Sequence, residues 1–249
     1  MQVTILGAGT AIPASGYSPA GIYVHTGREH VLFDAGAGTL QRLHRIGVTF
    51  LDLDRVFFTH FHPDHCLDLV SILFAMRIPQ PARKKPLTVC GPPGLKRLYR
   101  QPNTIFNRWI EPRTYRLTLK EIGKTRLAFN GCTVSTQWMN HSAKALGYRL
   151  TVKGTTMAYS GDTDYCRGIV ELGRTADLLI LECAMTDERK VEGHLTPTEC
   201  GQIADAANCR HLVLTHFYPV FKGYDIRTRV RRAFRGRLTL ARDGTSLRL

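Results

Sequence analysis

No apolar run in these 249 residues approaches the roughly 18 that a membrane helix requires. The opening segment Met1-Gln2-Val3-Thr4-Ile5-Leu6-Gly7 has no basic n-region and enters a strand pattern at once, which is not how a signal peptide reads. The cysteines, Cys66, Cys90, Cys132, Cys166, Cys183, Cys200 and Cys209, are odd in number and include no CxxC pair. They argue against a disulfide framework and for reduced thiols in a cytoplasmic protein. Gly7-Ala8-Gly9 begins like a dinucleotide fingerprint, but Ile12 stands where the third glycine belongs, so a Rossmann nucleotide site is not expected. Acid is scarce, with 20 Asp and Glu against 34 Lys and Arg. Low-complexity stretches are absent.

What the chain does have is the run Thr59-His60-Phe61-His62-Pro63-Asp64-His65, directly behind the apolar segment Val56-Phe57-Phe58. Three imidazoles and a carboxylate at this spacing can reach two adjacent cations where the backbone turns sharply. The bland alternative is a histidine-rich polar loop before a helix. Three further strand patterns end in the same chemistry: 134–140 runs into His141, 156–161 into Asp162 and 212–215 into His216. Short apolar runs bounded by Gly, Asn or Asp read as buried strands. Ligands just past strand ends collect on one edge of a sheet, where open α/β folds place their sites.

In this order, HxHxDH, His141, Asp162 within Ser-Gly-Asp-Thr and His216 resemble the metallo-β-lactamase superfamily. Leu6-Gly7-Ala8-Gly9-Thr10-Ala11, Phe33-Asp34-Ala35-Gly36 and Gly193-His194-Leu195-Thr196 resemble its ribonuclease Z-like branch. The resemblance covers essentially the whole chain and implies an α/β fold, a four-layer αββα sandwich with two zinc ions at its edge; manganese or iron are alternatives. Carried over residue by residue, it implies that His60, His62 and His141 hold one metal, that Asp64, His65 and His216 hold the other, and that Asp162 bridges them. It also implies that His194 protonates the leaving oxygen. Asp64 is then the group that accepts the proton of the attacking water. Glu182, at the end of 178–181, is a candidate to orient His194, and Asp34 a candidate to hydrogen-bond a ligand imidazole. His25, His30, His44 and His211 read as structural or surface residues.

The candidate ligands span positions 60 to 216, so 1–249 is expected to be a single domain. Strands are expected at 2–7, 20–25, 30–34, 54–59, 86–90, 125–129, 132–138, 146–152, 155–160, 178–182 and 211–215. A closing hairpin is expected at 238–249 about Arg242-Asp243-Gly244-Thr245. Helices are expected at 37–46, 63–77, 93–101, 167–173, 197–207 and 225–234. Pro63 suits a first helical turn, and Thr196-Pro197-Thr198-Glu199 is a capping-box start.

Charge is uneven. Residues 77–116 hold ten basic side chains against Glu111, and 222–249 hold nine against Asp225 and Asp243. Such surfaces attract phosphate backbones, although a solvated basic face reads the same way. Tyr99, Phe106, Trp109 and Tyr115 add stacking capacity to the first segment, or form the core of a subdomain.

The function expected from these features is hydrolysis of a phosphodiester, in RNA or a nucleotide. Ribonuclease Z proteins generally carry a long Gly/Pro-rich arm between the third histidine and the bridging aspartate. Here His141 and Asp162 are 21 positions apart, which leaves room only for two strands and a turn. The alternatives are hydrolysis of another ester-type bond (aryl sulfate, thioester, lactone or β-lactam) and a non-catalytic accessory protein. Assembly as a homodimer also stays open.

Overall fold

The computed structural model describes residues 1–249 apart from Pro79 and Ala143. The first half runs β1 (Gln2–Gly7), β2 (Gly21–His25), β3 (His30–Phe33), α1 (Thr39–Arg45), β4 (Arg55–Phe57), α2 (Pro63–Cys66), α3 (Asp68–Arg77), β5 (Leu87–Gly91), α4 (Leu95–Ile105) and β6 (Leu117–Glu121). The second half runs β7 (Arg126–Phe129), β8 (Cys132–Trp138), β9 (Leu146–Val152), β10 (Thr155–Tyr159), α5 (Arg167–Gly173), β11 (Leu178–Glu182), α6 (Pro197–Ala206), β12 (His211–Thr215), α7 (Ile226–Arg231), β13 (Arg237–Leu240) and β14 (Ser246–Arg248).

These strands form two seven-stranded sheets, ordered β14-β1-β2-β3-β4-β5-β6 and β13-β12-β11-β10-β9-β8-β7. The period-2 alternation of the strands assigns each side chain to a layer. Phe33 and Phe57 point between the sheets and meet Tyr148, Met157 and Ile180. Their neighbours Leu32, Val56 and Phe58 point outward beneath Leu43 of α1 and Leu69, Ile72 and Leu73 of α3. On the far face Leu179, Leu181, Leu212 and Leu214 lie under Ile169 of α5, Ile203 of α6 and Val230 of α7. The result is the expected αββα order of layers. Each fully buried Leu or Ile contributes roughly 1.5–3 kcal/mol. Among the described residues no helix is long and apolar enough to cross a membrane.

Three expectations need correction, and one strand was not anticipated. The 238–249 hairpin does not form: β13 adds in parallel to β12 in one sheet, while β14 pairs antiparallel with β1 in the other. The turn between them instead places Asp243 to accept hydrogen bonds from the backbone N–H groups of Ala8 and Ser18. The expected 63–77 helix divides at Leu67 into α2 and α3, because the Asp68 N–H donates to the Ala35 carbonyl at 2.9 Å and the Ala35 N–H donates to the His65 carbonyl at 2.7 Å. β6 gave no clear signal, since its residues are half-buried or exposed at a sheet edge. α4 runs on to Ile105 with Pro102 inside it, past the expected end at 101.

The reciprocal bonds at Ala35 require a close approach. A Cβ on Gly36 would lie 2.0 Å from the Asp64 carbonyl oxygen, so only glycine lets this loop support the HxHxDH turn.

Candidate metal centre

Five of the groups singled out in the sequence leave the carboxyl ends of strands at one edge: Asp34 after β3, His60 after β4, Asp162 after β10, Glu182 at the end of β11 and His216 after β12. Asp34 and His216 adopt left-handed backbone conformations, with φ of 57° and 61°. Residues without this glycine-like freedom are strained there, and such strain is held where side-chain direction matters.

The seven candidate ligands meet. One ligand atom from each of His60, His62, His141 and Asp162 lies within 4.8 Å of the others, and the same holds for Asp64, His65 and His216. His60 Nε2 and His141 Nε2 face His62 Nδ1 at 3.0 and 3.1 Å. Between the two groups, Asp162 Oδ1 lies 3.2 Å from His65 Nε2, and its Oδ2 lies 3.3 Å from His216 Nε2. Asp162 Oδ2 also lies 3.8 Å from His60 Nε2 and 3.9 Å from His141 Nε2. The carboxylate therefore stands between both sets.

The polar bookkeeping tests whether cations fit. His65 Nε2, both ring nitrogens of His216 and Asp162 Oδ1 are buried with no hydrogen-bond partner. Buried polar atoms left unpaired cost about 1–3 kcal/mol each, so several at one point require an occupant. Nitrogen lone pairs and carboxylate oxygens turned towards a common centre suit a borderline cation such as zinc. The residues fit a divalent metal.

Protonation agrees. Burial, and then the neighbouring His65, hold His60 well below the usual imidazole range. Burial and neighbouring charges also lower His62 and His141, which leaves these rings neutral with free lone pairs. Burial opposes charge on His65, but the carboxylates of Asp162 and Asp34 outweigh it and push its pKa well up. Asp162 is the converse: burial disfavours its charge, yet His216 and His65 hold it well below the carboxylate range.

Supporting groups fix the rings. His65 Nδ1 donates to Asp34 Oδ2 at 2.8 Å, and Asp34 also accepts from the Tyr159 hydroxyl and the Thr59 N–H. His141 Nδ1 donates to the Gly193 carbonyl at 2.8 Å, which turns its Nε2 inward. Asp64 Oδ2 accepts from the Ala11 N–H at 3.2 Å. Such partners set ring orientation and tautomer.

His194 stands beside this cluster. Its ring centroid lies 4.9 Å from that of His141, and it stacks on His216 at 6.2 Å. Its Nδ1 donates to Glu182 Oε1 at 2.9 Å. Glu182 is fully buried and is also held by the N–H groups of Thr163 and Ala184. Burial works against a charged His194, but the Glu182 carboxylate outweighs it and raises the imidazole pKa. Sequence reasoning missed Lys190, whose ammonium donates to Asp164, Glu199 and the His194 carbonyl and so ties down the His194 loop. A lone lysine in a loop carries no signal of such a role.

Within the basic segment 77–116, one residue departs from a surface role. Arg83 is only 2% exposed and donates to the carbonyls of Phe50, Leu51, Leu53 and Pro86. Lys85 pairs with Asp54, and Arg77 donates to the carbonyls of Arg108 and Glu111. These three basic residues hold loops together, whereas Lys84, Lys96, Arg97, Arg100, Arg113 and Arg116 remain exposed. Of the aromatics, Tyr115 is buried beneath Arg83, while Phe106 and Trp109 are about half exposed. Two-thirds of the way along the chain, β9 and β10 form a plain antiparallel pair, so no arm is inserted between His141 and Asp162.

A four-layer sandwich with a His/Asp cluster at one edge defines a metal-dependent hydrolase of the metallo-β-lactamase type. The profile described as "Beta-lactamase superfamily domain" matches residues 29–217, and the chain belongs to that superfamily; the curated relatives it resembles are ribonuclease Z proteins. A ribonuclease Z of Myxococcus xanthus is 28% identical, with 100% of this chain and 98% of the relative covered. That alignment runs over 309 positions against 249 residues here, so the relative has residues with no counterpart in this chain. Among solved structures, the metallo-β-lactamase fold protein YhfI from Bacillus subtilis superposes with a TM-score of 0.85 at 24% identity, covering 99% of this chain and 98% of its own. The short form of human tRNase Z gives a TM-score of 0.82 at 24% identity, covering 100% and 99%.

Proposed function

We propose that this protein, as one hydrolase domain, is a dinuclear zinc phosphodiesterase that cleaves RNA ends or nucleotide phosphodiesters in the cytoplasm. The observation that carries the reading is the pairing of His194 with buried Glu182 beside an Asp162 carboxylate shared by two histidine groups. His60, His62 and His141 would hold one ion and Asp64, His65 and His216 the other, with Asp162 common to both. When bound, such a pair acidifies the attacking water and supplies positive charge to the phosphoryl oxygens. Asp64 accepts the water's proton at a carboxylate oxygen. His194, held protonated by Glu182, donates from Nε2 to the departing alkoxide. A proton donor matters most where the leaving group is an alkoxide, as it is in RNA.

The ribonuclease Z relatives and the human tRNase Z neighbour support RNA as the substrate class. The short β9–β10 connection supports a shorter RNA end or a smaller diester over a full precursor tRNA. Seven unpaired cysteines support a reducing compartment.

The test is a panel of esters on metal-replete protein: bis(4-nitrophenyl) phosphate, 4-nitrophenyl sulfate, a thioester, a lactone and a short RNA with a 3′ extension. Hydrolysis of the phosphodiesters, with RNA products ending in a 3′-hydroxyl, is expected. Turnover of the sulfate or thioester with inert phosphodiesters would overturn the reading.

A further inference from the structure

Beside the metal cluster lies a cleft that the chemistry described so far does not use. Tyr17, Phe217, Tyr218 and Phe221 wall a cavity of about 460 Å³, with Lys222 and Arg242 also lining it. That volume falls in the range of about 300–1,000 Å³ typical of small-ligand sites. Tyr218 joins cleft and centre: its ring centroid lies 6.1 Å from that of His216 and 6.3 Å from that of His194.

The walls are anchored. Phe217 forms a buried floor, meeting Tyr17 edge-on at 5.9 Å and Phe221 edge-on at 5.5 Å. The Phe217 N–H donates to the Ala8 carbonyl, and Asp243 fixes the opposite strand of the wall by accepting from the Ala8 and Ser18 N–H groups. The Ala11 N–H on that same loop reaches Asp64. The Asp243 carboxylate is thus taken up by backbone donors, while Arg242 stays exposed with its guanidinium 5.7 Å from the Tyr17 ring centre. Lys222 is exposed as well.

Half-exposed aromatic rings flanked by two cations, in a wall whose Tyr218 also neighbours His194 and His216, suit a planar base attached to a phosphate. A purely apolar ligand would leave both cations unused, and a bare phosphate would leave the rings unused. From this geometry we infer that the cleft is a nucleoside subsite, which takes the base and ribose adjoining the scissile phosphodiester. Tyr17 and Phe221 provide the stacking surfaces, and Lys222 and Arg242 face the neighbouring phosphate. The inference rests on the phosphodiesterase reading for its catalytic meaning and on the cleft alone for binding.

Two measurements on metal-replete protein separate these dependences. The first is calorimetric binding of adenosine 5′-monophosphate and ribose 5-phosphate, which share a phosphate and differ by the base. The wild type should prefer the nucleotide, and Tyr17→Ala with Phe221→Ala should shrink that preference by roughly 5- to 150-fold, the range of base–aromatic stacking. Because Tyr17 packs on Phe217, the exposed substitution Lys222→Glu gives a second variant whose fold is not at risk; it should weaken nucleotide binding several-fold. The second measurement is the ratio of kcat/KM for thymidine 5′-(4-nitrophenyl phosphate) over methyl 4-nitrophenyl phosphate, which have the same leaving group. This ratio should fall in the aromatic variants. Unchanged nucleotide preference in the aromatic variants, with unchanged nucleotide affinity in Lys222→Glu, overturns the subsite. Nucleotide binding that responds as expected, with neither ester hydrolysed, upholds the subsite and overturns the phosphodiesterase reading.

Discussion

Glu182 lies at the end of β11, 12 positions before His194, and accepts the His194 Nδ1 proton at 2.9 Å while itself fully buried. Two backbone N–H groups complete its coordination, so its carboxylate has one direction left to serve, that of the imidazole. The pair raises the His194 imidazole pKa and fixes the ring through Nδ1, which leaves Nε2 free.

Removing this donor should separate binding from chemistry. His194→Ala is expected to retain the full metal content and to lose roughly 10²–10⁴ in rate on an alkoxide-leaving diester. A nitrophenyl ester, whose leaving group needs little protonation, should lose far less. Glu182→Gln should follow the same pattern more mildly. Steady-state rates on the two ester classes, with metal analysis of each variant, check this; equal losses on both esters would count against the proton-donor role.

The HxHxDH run, His141, Asp162 and His216 were legible because each follows an apolar strand pattern and each carries ligand chemistry. The core strands 132–138 and 178–182 were legible from the same apolar patterning, as was the capping box at Thr196, which forms with both of its bonds. What failed was long-range. A turn such as Arg242-Asp243-Gly244-Thr245 looks like a hairpin because local chemistry cannot show that the next strand joins another sheet. Arg83 looked like surface charge because three of the four backbone carbonyls that cage it come from one segment, 50–53, some thirty residues away.

Arg83 yields a prediction opposite to that for a nucleic-acid contact. Arg83→Ala should destabilise the fold by about 3 kcal/mol or more, since it strands buried carbonyls. Lys84→Ala, at an exposed neighbour, should stay within about 0.5 kcal/mol. Urea unfolding of the two variants distinguishes them. If Arg83→Ala were as stable as the wild type yet bound RNA weakly, the residue would be a substrate contact.

His211 should make stability depend on pH. Burial, and then the nearby Arg237, lower its pKa from 6.5 to about 4, and its Nε2 lies 2.9 Å from the Thr239 hydroxyl. The unfolded chain takes up a proton near its ordinary pKa, whereas the folded protein refuses it until about 4. The contribution is therefore complete above about pH 6.5 and is lost as pH falls towards 4. Wild type and His211→Gln, unfolded in urea at several pH values, should differ in acid slope by on the order of 1–3 kcal/mol. Protonation of the metal-site histidines is common to both and cancels. Parallel curves would contradict the assignment.

The central claim is that the unpaired atoms around Asp162 are there to bind metal. Elemental analysis of protein purified without chelator and then supplied with zinc tests it most directly. The account predicts about two ions per chain, a fall to about one or fewer in Asp162→Ala, and a raised unfolding midpoint on loading, because metal that binds only the folded state stabilises it. Fewer than one ion per chain in the wild type after metal addition would contradict it.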